Sequence, residues 1–356
     1  MRTWRIGLVG VGRGSGYGSV FARDPRCTVT ACCDADEQAL ARFQSELGLA
    51  DGDCFTSYDD FIGADVDIVF IGTPIPYHAE QTIKAVESGK HVLCEVTAAS
   101  TIEDCARIVA AVRRSGMAYM LAENCCYWPF VRQWREMVQA GRLGEIIYAE
   151  CEYVHDIRPL IVDPVTGTKR WRAHRAPLHY CSHSLGPILD ITADRIVRAC
   201  GVGTSSKLLG IPEAGGIDFQ VALFETEKGA VIKLLRSSCV PRHPALHFYS
   251  LQGTGGFVES SKRGVPGEGL LYVEKEMETA QSLPVDIVDQ SLPAHAGEGG
   301  HGTAEYALVR AFLSALESGQ KPPLDEVRAM DLTVPGLVAH QSAMEHGRWL
   351  DVPYLG

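Results

Sequence analysis

The stretch "GLVGVGRGSGYG", residues 7–18, constrains the fold more than any other part of the chain. It follows a short apolar run directly, so a strand ends where a glycine-rich turn begins and a helix starts. Gly10 and Gly12 supply the tight turn and the close backbone approach that a pyrophosphate needs. The helix N-terminus behind them adds N–H donors and a favourable dipole. The third glycine of the usual spacing is displaced: Ser15 stands there, flanked by Gly14 and Gly16. Arg13, inside the turn, is placed with Gly10 and Gly12 in the cofactor site. The next strand, "CTVTACC", ends at Asp34, at the spacing of about twenty residues that puts a carboxylate on a ribose 2′-hydroxyl. The residues from Asp34 read "DADEQ", with no arginine to receive a 2′-phosphate, which favours NAD over NADP.

Further on, "VDIVFIG", "HVLCEV" and "AYMLAE" read as buried strands, separated by the helical stretches "HAEQTIKAVESGK" and "IEDCARIVAAVRRSG". Continuous apolar strands alternating with helices mean a doubly wound parallel sheet. The rhythm then changes. After the helical "FVRQWREMVQAGRLGEI" come runs of polar alternation: "IIYAECEYVHD", "DFQVALFETEKGAVIKLLRSS" and "ALHFYSLQGTGGFVES". These predict a mostly antiparallel, open sheet, followed by helices in "TAEYALVRAFLSALESG" and "AMDLTVPGLVAHQSAMEHG". The expected α/β architecture is a Rossmann domain over 1–125 and a substrate-binding α/β domain over 126–356. Long loops are expected at 155–180 and 260–300.

At 356 residues the chain suits two cores. Its formal net charge of −11 argues against a general nucleic-acid binder. No stretch is long and apolar enough to span a membrane, and the N-terminus lacks the pattern of a signal peptide, so a cytoplasmic protein is expected. The twelve cysteines are scattered without a C-x-x-C pair, so reduced thiols packed as small hydrophobes are expected and no metal site is.

The segment "DIVFIGTPIPYHAEQTIKAVESGKHVLCE" resembles the dinucleotide domain of the Gfo/Idh/MocA oxidoreductases, with Thr73, Pro74, His78, Gly89-Lys90-His91-Val92 and Glu95 in order and spacing. Members of that family usually read Glu-Lys-Pro at this strand end, where the lysine assists proton removal from a sugar hydroxyl. This chain reads Glu95-Val96-Thr97, and valine cannot move a proton. "EVTAASTIEDC", "LAENCCYW", "YVHDIR", "YCSHSLGPI" and "GGHGTAEYALVRAF" resemble the NAD-dependent glycosidase branch, typified by bacterial α-N-acetylgalactosaminidases. That branch also carries Glu-Val here and a Tyr-x-x-His motif in its second domain. The chain departs from it in reading Tyr180-Cys181-Ser182-His183-Ser184 for the usual Tyr-Pro-Thr-His-Gly, in carrying Glu305 for the usual aspartate, and in a shorter loop between His155 and Tyr180.

The resemblance implies a redox-neutral hydrolysis on tightly held NAD: oxidation at sugar C3, elimination across C2 and C1, water addition and re-reduction. It implies His183, Tyr180 and Tyr153 as catalytic residues. It places Thr73, His78, Glu95, Val96 and Asn124 near the cofactor. His155 and His301 are candidate substrate contacts, as are Arg170 and Arg172 in the basic stretch "KRWRAHR". Trp128 and Trp171 are candidates to stack on a sugar face. Homo-oligomerisation through the open sheet is implied by resemblance alone. The alternatives are an NAD-dependent sugar dehydrogenase that releases NADH, a lyase that stops at elimination, and a non-enzymatic NAD-binding regulator.

Overall fold

The computed structural model describes residues 3–262 and 267–356, and of Arg13 the backbone only. The first half alternates strand and helix: β1 (Trp4–Val9), α1 (Val11–Arg23), β2 (Cys27–Cys33), α2 (Glu37–Leu47), β3 (Cys54–Phe55), α3 (Tyr58–Phe61), β4 (Ile68–Ile71), α4 (His78–Glu87), β5 (His91–Cys94), α5 (Ile102–Ser115) and β6 (Tyr119–Leu121). These strands form one parallel sheet in the order β3-β2-β1-β4-β5-β6. The apolar runs are the cause. Every residue of β4, "IVFI", is buried, as a central strand covered on both faces requires. Strand order reverses between β1 and β4, which opens a crevice at their carboxyl ends.

Further on come α6 (Pro129–Gln139), β7 (Ile146–Val154), α7 (Arg158–Ile161), α8 (Ser182–Thr192), β8 (Ile196–Gly203), β9 (Gln220–Thr226), β10 (Val231–Ser237), β11 (Leu246–Gly253), β12 (Gly256–Ser260), β13 (Gly267–Val273), β14 (Gln281–Val285), α9 (Ala304–Ser318), α10 (Glu326–Met344) and β15 (Leu350–Asp351). The nine strands from β7 onward form a second sheet, ordered β14-β13-β12-β11-β7-β10-β9-β8-β15. All its pairs are antiparallel except β7 with β10, so the expected antiparallel sheet is a mixed one.

The chain divides into two compact units: Met1–Tyr127 with Val288–Met330 and Leu355–Gly356, and Trp128–Ile287 with Asp331–Tyr354. This differs from a single cut after residue 125, because the segment carrying α9 returns to the first unit. There the Leu324 carbonyl accepts the Leu121 N–H at 2.9 Å, covering the otherwise unpaired edge of β6. The expected loop at 260–300 is also corrected: β13 and β14 lie within it, and residues 263–266 of that stretch are outside the described residues. The stretch 155–180 is a loop apart from α7, two short 3-10 turns and an isolated bridge between Val162 and Lys169. Among the described residues every cysteine is a free thiol, all but Cys54 and Cys200 buried, and no helix is long and apolar enough to cross a membrane.

Candidate active site

In the first unit, β1 ends at Gly10, whose φ of 83° lies in the left-handed region. A Cβ there would sit 2.6 Å from the Gly72 carbonyl carbon and the Thr73 nitrogen, so only glycine lets the ends of β1 and β4 meet. A Cβ on Gly12 would meet nothing within 4 Å, leaving open space in front of the N-terminus of α1. No acidic residue occupies the first turn of that helix to compete for its free N–H groups. Asp34 is half-buried at the end of β2. One carboxylate oxygen accepts the Asp36 N–H at 2.9 Å, and the other has no partner among the described residues. A left-handed glycine, an open helix N-terminus and a carboxylate beyond the second strand fit a dinucleotide carrying a ribose 2′-hydroxyl. The side chain of Arg13, expected in this group, lies outside the described residues.

The other cofactor candidates hold one another. Thr73 donates its hydroxyl to Gln81 at 2.6 Å. His78 is fully buried, its ring nitrogens 2.8 Å from the carbonyl oxygens of Thr97 and Thr73. Burial pushes its pKa down, against the opposing pull of those carbonyls and Glu95. His78 therefore ties the turn after β4 to the turn after β5, where Glu95 accepts the Val96 N–H at 3.1 Å and Val96 is itself buried. Asn124 donates its amide to Glu305 at 3.1 Å, and the same carboxylate oxygen lies 2.5 Å from Nδ1 of His301. Burial alone would raise the Glu305 carboxyl. The hydrogen bond and charge of His301, with help from Asn124, outweigh it and hold the group below its usual range. The aspartate-to-glutamate departure thus gives a buried carboxylate that grips both a histidine and an asparagine.

In the second unit, sheet register assembles the chemistry. Tyr153 near the end of β7 is paired with Arg236 of β10 on one side and His247 of β11 on the other. The Arg236 guanidinium lies 4.0 Å over the Tyr153 ring, and the rings of His247 and Tyr153 are 3.8 Å apart. The Tyr153 hydroxyl is 2.8 Å from Nδ1 of His155, which stands exposed. Tyr180 comes from a 3-10 turn (Pro177–Tyr180) just before α8. The Leu178 N–H in that turn donates to Gln220 at 3.1 Å, and Gly336 of α10 lies so close that a Cβ would strike the Leu178 carbonyl and the Cys181 sulfur. The Tyr180 hydroxyl is 3.2 Å from Nε2 of His183, one turn on and buried, and the Tyr249 hydroxyl donates to the His183 carbonyl at 2.5 Å. The rings of Tyr153 and His183 are 5.9 Å apart.

The basic stretch divides. Arg170 is exposed and paired with Asp163 at 2.6 Å. Lys169 is paired with Glu213 at 2.5 Å. Arg172 lies 4.4 Å over the Trp171 ring. Trp128 is buried against Phe130, His247 and Tyr249, a packing role. Arg175, not singled out from the sequence, lies buried with its guanidinium 4.3 Å over the Tyr180 ring. Arg236 was missed altogether. Its signal is its place in "VIKLLRSS": with period-2 alternation Ile232, Leu234 and Arg236 face the same way, and an arginine stands where an apolar residue belongs.

Residues 4–123 match the family model Gfo/Idh/MocA, described as "Oxidoreductase family, NAD-binding Rossmann fold". The first unit therefore contains an NAD-binding Rossmann domain of the Gfo/Idh/MocA oxidoreductase type. The chain is 29% identical over 92% of its length to a "Glycosyl hydrolase family 109 protein" of Shewanella pealeana, covering 79% of that protein. It is 26% identical over 99% of its length to a protein of the same name from Saccharopolyspora erythraea, covering 83% of it. Its fold matches that of a levoglucosan dehydrogenase solved with NADH and L-sorbose, at a TM-score of 0.84 and 20% identity, covering 99% of this chain and all of that one.

Proposed function

We propose that the chain is a sugar-active NAD-dependent enzyme that hydrolyses a glycoside without net oxidation. One observation carries the reading: the second unit holds two tyrosine–histidine pairs, Tyr180 with His183 and Tyr153 with His155, each tyrosine with a buried guanidinium over its ring. Oxidation followed by elimination needs two proton acceptors, one for the C3 hydroxyl and one for the C2 proton that a neighbouring carbonyl acidifies. A plain dehydrogenase needs only the first. The relatives named glycosyl hydrolases support the same reading, as does the valine at position 96, which leaves the task of the family's lysine to other groups.

NAD, held by Gly10, Gly12, Asp34 and the N-terminus of α1, supplies a reversible acceptor for the carbinol hydrogen. The remaining work is proton transfer by this chain. Tyr180 takes the C3 hydroxyl proton as its own passes to His183, whose Nε2 lies 3.2 Å from its oxygen. Tyr153, coupled to His155, takes the C2 proton as the group at C1 departs. The same residues return protons when water adds and the hydroxyl is restored.

A panel of nitrophenyl glycosides, followed simultaneously for nitrophenol and NADH, tests the reading. Nitrophenol without net NADH is expected. Stoichiometric NADH would make the chain a sugar dehydrogenase, and neither product with NAD bound would leave a cofactor-binding regulator.

A further inference from the structure

Among the described residues of the second unit two guanidiniums are buried, and they spend their donors differently. Arg236 is 1% exposed and gives hydrogen bonds to the carbonyls of Tyr153, Ser237 and Tyr180 at 3.1, 2.5 and 3.4 Å, so its donors serve the backbone. Arg175 is 8% exposed, and its side chain makes no hydrogen bond or ion pair among the described residues. Its Nε is fully enclosed without an acceptor. The groups around it are the Trp171 ring at 5.7 Å, the Tyr180 ring at 4.3 Å and two further cations, Arg172 and Arg236. Burial and these like charges pull its pKa down to about 9, so it stays charged at neutral pH. The contrast with its own loop is sharp, since Lys169 and Arg170 are each neutralised by a carboxylate.

A buried cation without an acid is among the costliest arrangements in a protein interior. It is tolerable where the missing partner arrives with a ligand. Stacking on Tyr180 fixes the guanidinium beside the Tyr180–His183 pair, so a partner anion would belong to the molecule on which that pair acts. A guanidinium offers a planar fork of N–H groups that matches a carboxylate.

From this we infer that the substrate is an anionic sugar of the uronic-acid class, whose carboxylate pairs with Arg175. The inference rests on the sugar-active reading above but does not depend on hydrolysis, and its test is a binding measurement. Titration calorimetry of the NAD-loaded protein with free glucuronate and galacturonate, against glucose and galactose, is expected to show at least tenfold tighter binding of the uronates. Arg175→Gln should abolish that preference and Arg175→Lys restore part of it, with unchanged melting temperatures showing that both fold. Equal affinity for acid and neutral sugar in the wild-type protein would overturn the inference without need of any variant, as would a preference that survives in a folded Arg175→Gln. If uronates bind selectively but no glycoside is cleaved, the hydrolytic reading fails and the assignment of Arg175 stands.

Discussion

Val96 fills the place where the family usually has a lysine, and it is buried, so no solvent-borne base reaches the site through that side chain. The proposed replacement is distributed over Tyr180 and His183, whose reactive atoms are 3.2 Å apart. Tyr180→Phe and His183→Ala are each expected to lower turnover by about a hundredfold or more, the usual worth of a general base, while NAD stays bound. Turnover near the wild-type value in both would shift the proton acceptor to Tyr153 and His155. At the cofactor end, Asp34→Ala should weaken NAD binding and narrow its advantage over NADP, because the lost carboxylate both receives a 2′-hydroxyl and repels a 2′-phosphate. Unchanged affinities in a calorimetric titration would show that Asp34 does not face the ribose. Gly10 and Asp34 were readable from local spacing, and Tyr180 and His183 from the resemblance of a short contiguous motif. Arg175 was hidden beside three basic neighbours, two of which only the fold shows to be paired with carboxylates, and the bracing role of His78 depends on the carbonyls of Thr73 and Thr97.

At the scale of elements, the turn before α8 does most to place the tyrosine, and it rests on a small, largely half-buried polar group. His179 in that turn meets the His340 ring of α10 edge-on at 4.5 Å, and Gln220 of β9 donates to His340 at 3.0 Å. Burial, with the charges of His340 and Arg175, pulls the His179 pKa from 6.5 down to about 3. The folded protein therefore binds fewer protons here than the unfolded chain between those values. Stability from this group is present above about pH 6.5 and is lost as pH falls toward 3. His179→Asn should thus lose less stability than the wild type between pH 7 and pH 5, by about 1–2 kcal/mol, as read by urea denaturation at the two pH values. Equal losses would mean that the ring is protonated without penalty in the folded state. Five of the six parallel strands were plain in the sequence, since apolar runs are local, whereas the two-residue β3 was too short to announce itself. The strands β13 and β14 were not: "GEGLLYV" carries two glycines, and "QSLPV" has a proline tolerable in an edge strand. The single parallel pair, β7 with β10, joins strands far apart in the chain, which no local pattern announces.

For the whole molecule, the order of strands and helices was enough to anticipate two α/β units, but not that Val288–Met330 returns to the first. That return depends on long-range contacts such as the bond between Leu121 and Leu324. Its consequence for function is local to the first unit: it brings His301 and Glu305 to Asn124. The two Tyr–His pairs are proposed to serve two separate proton transfers within one redox-neutral cycle. The decisive measurement is the reaction of a cleavable glycoside in deuterated water. Sugar product carrying deuterium at C2 is expected, with no NADH accumulating over many turnovers. Product with the original hydrogen at C2 and NADH rising in step with it would rule the cycle out and leave a dehydrogenase that uses one pair alone.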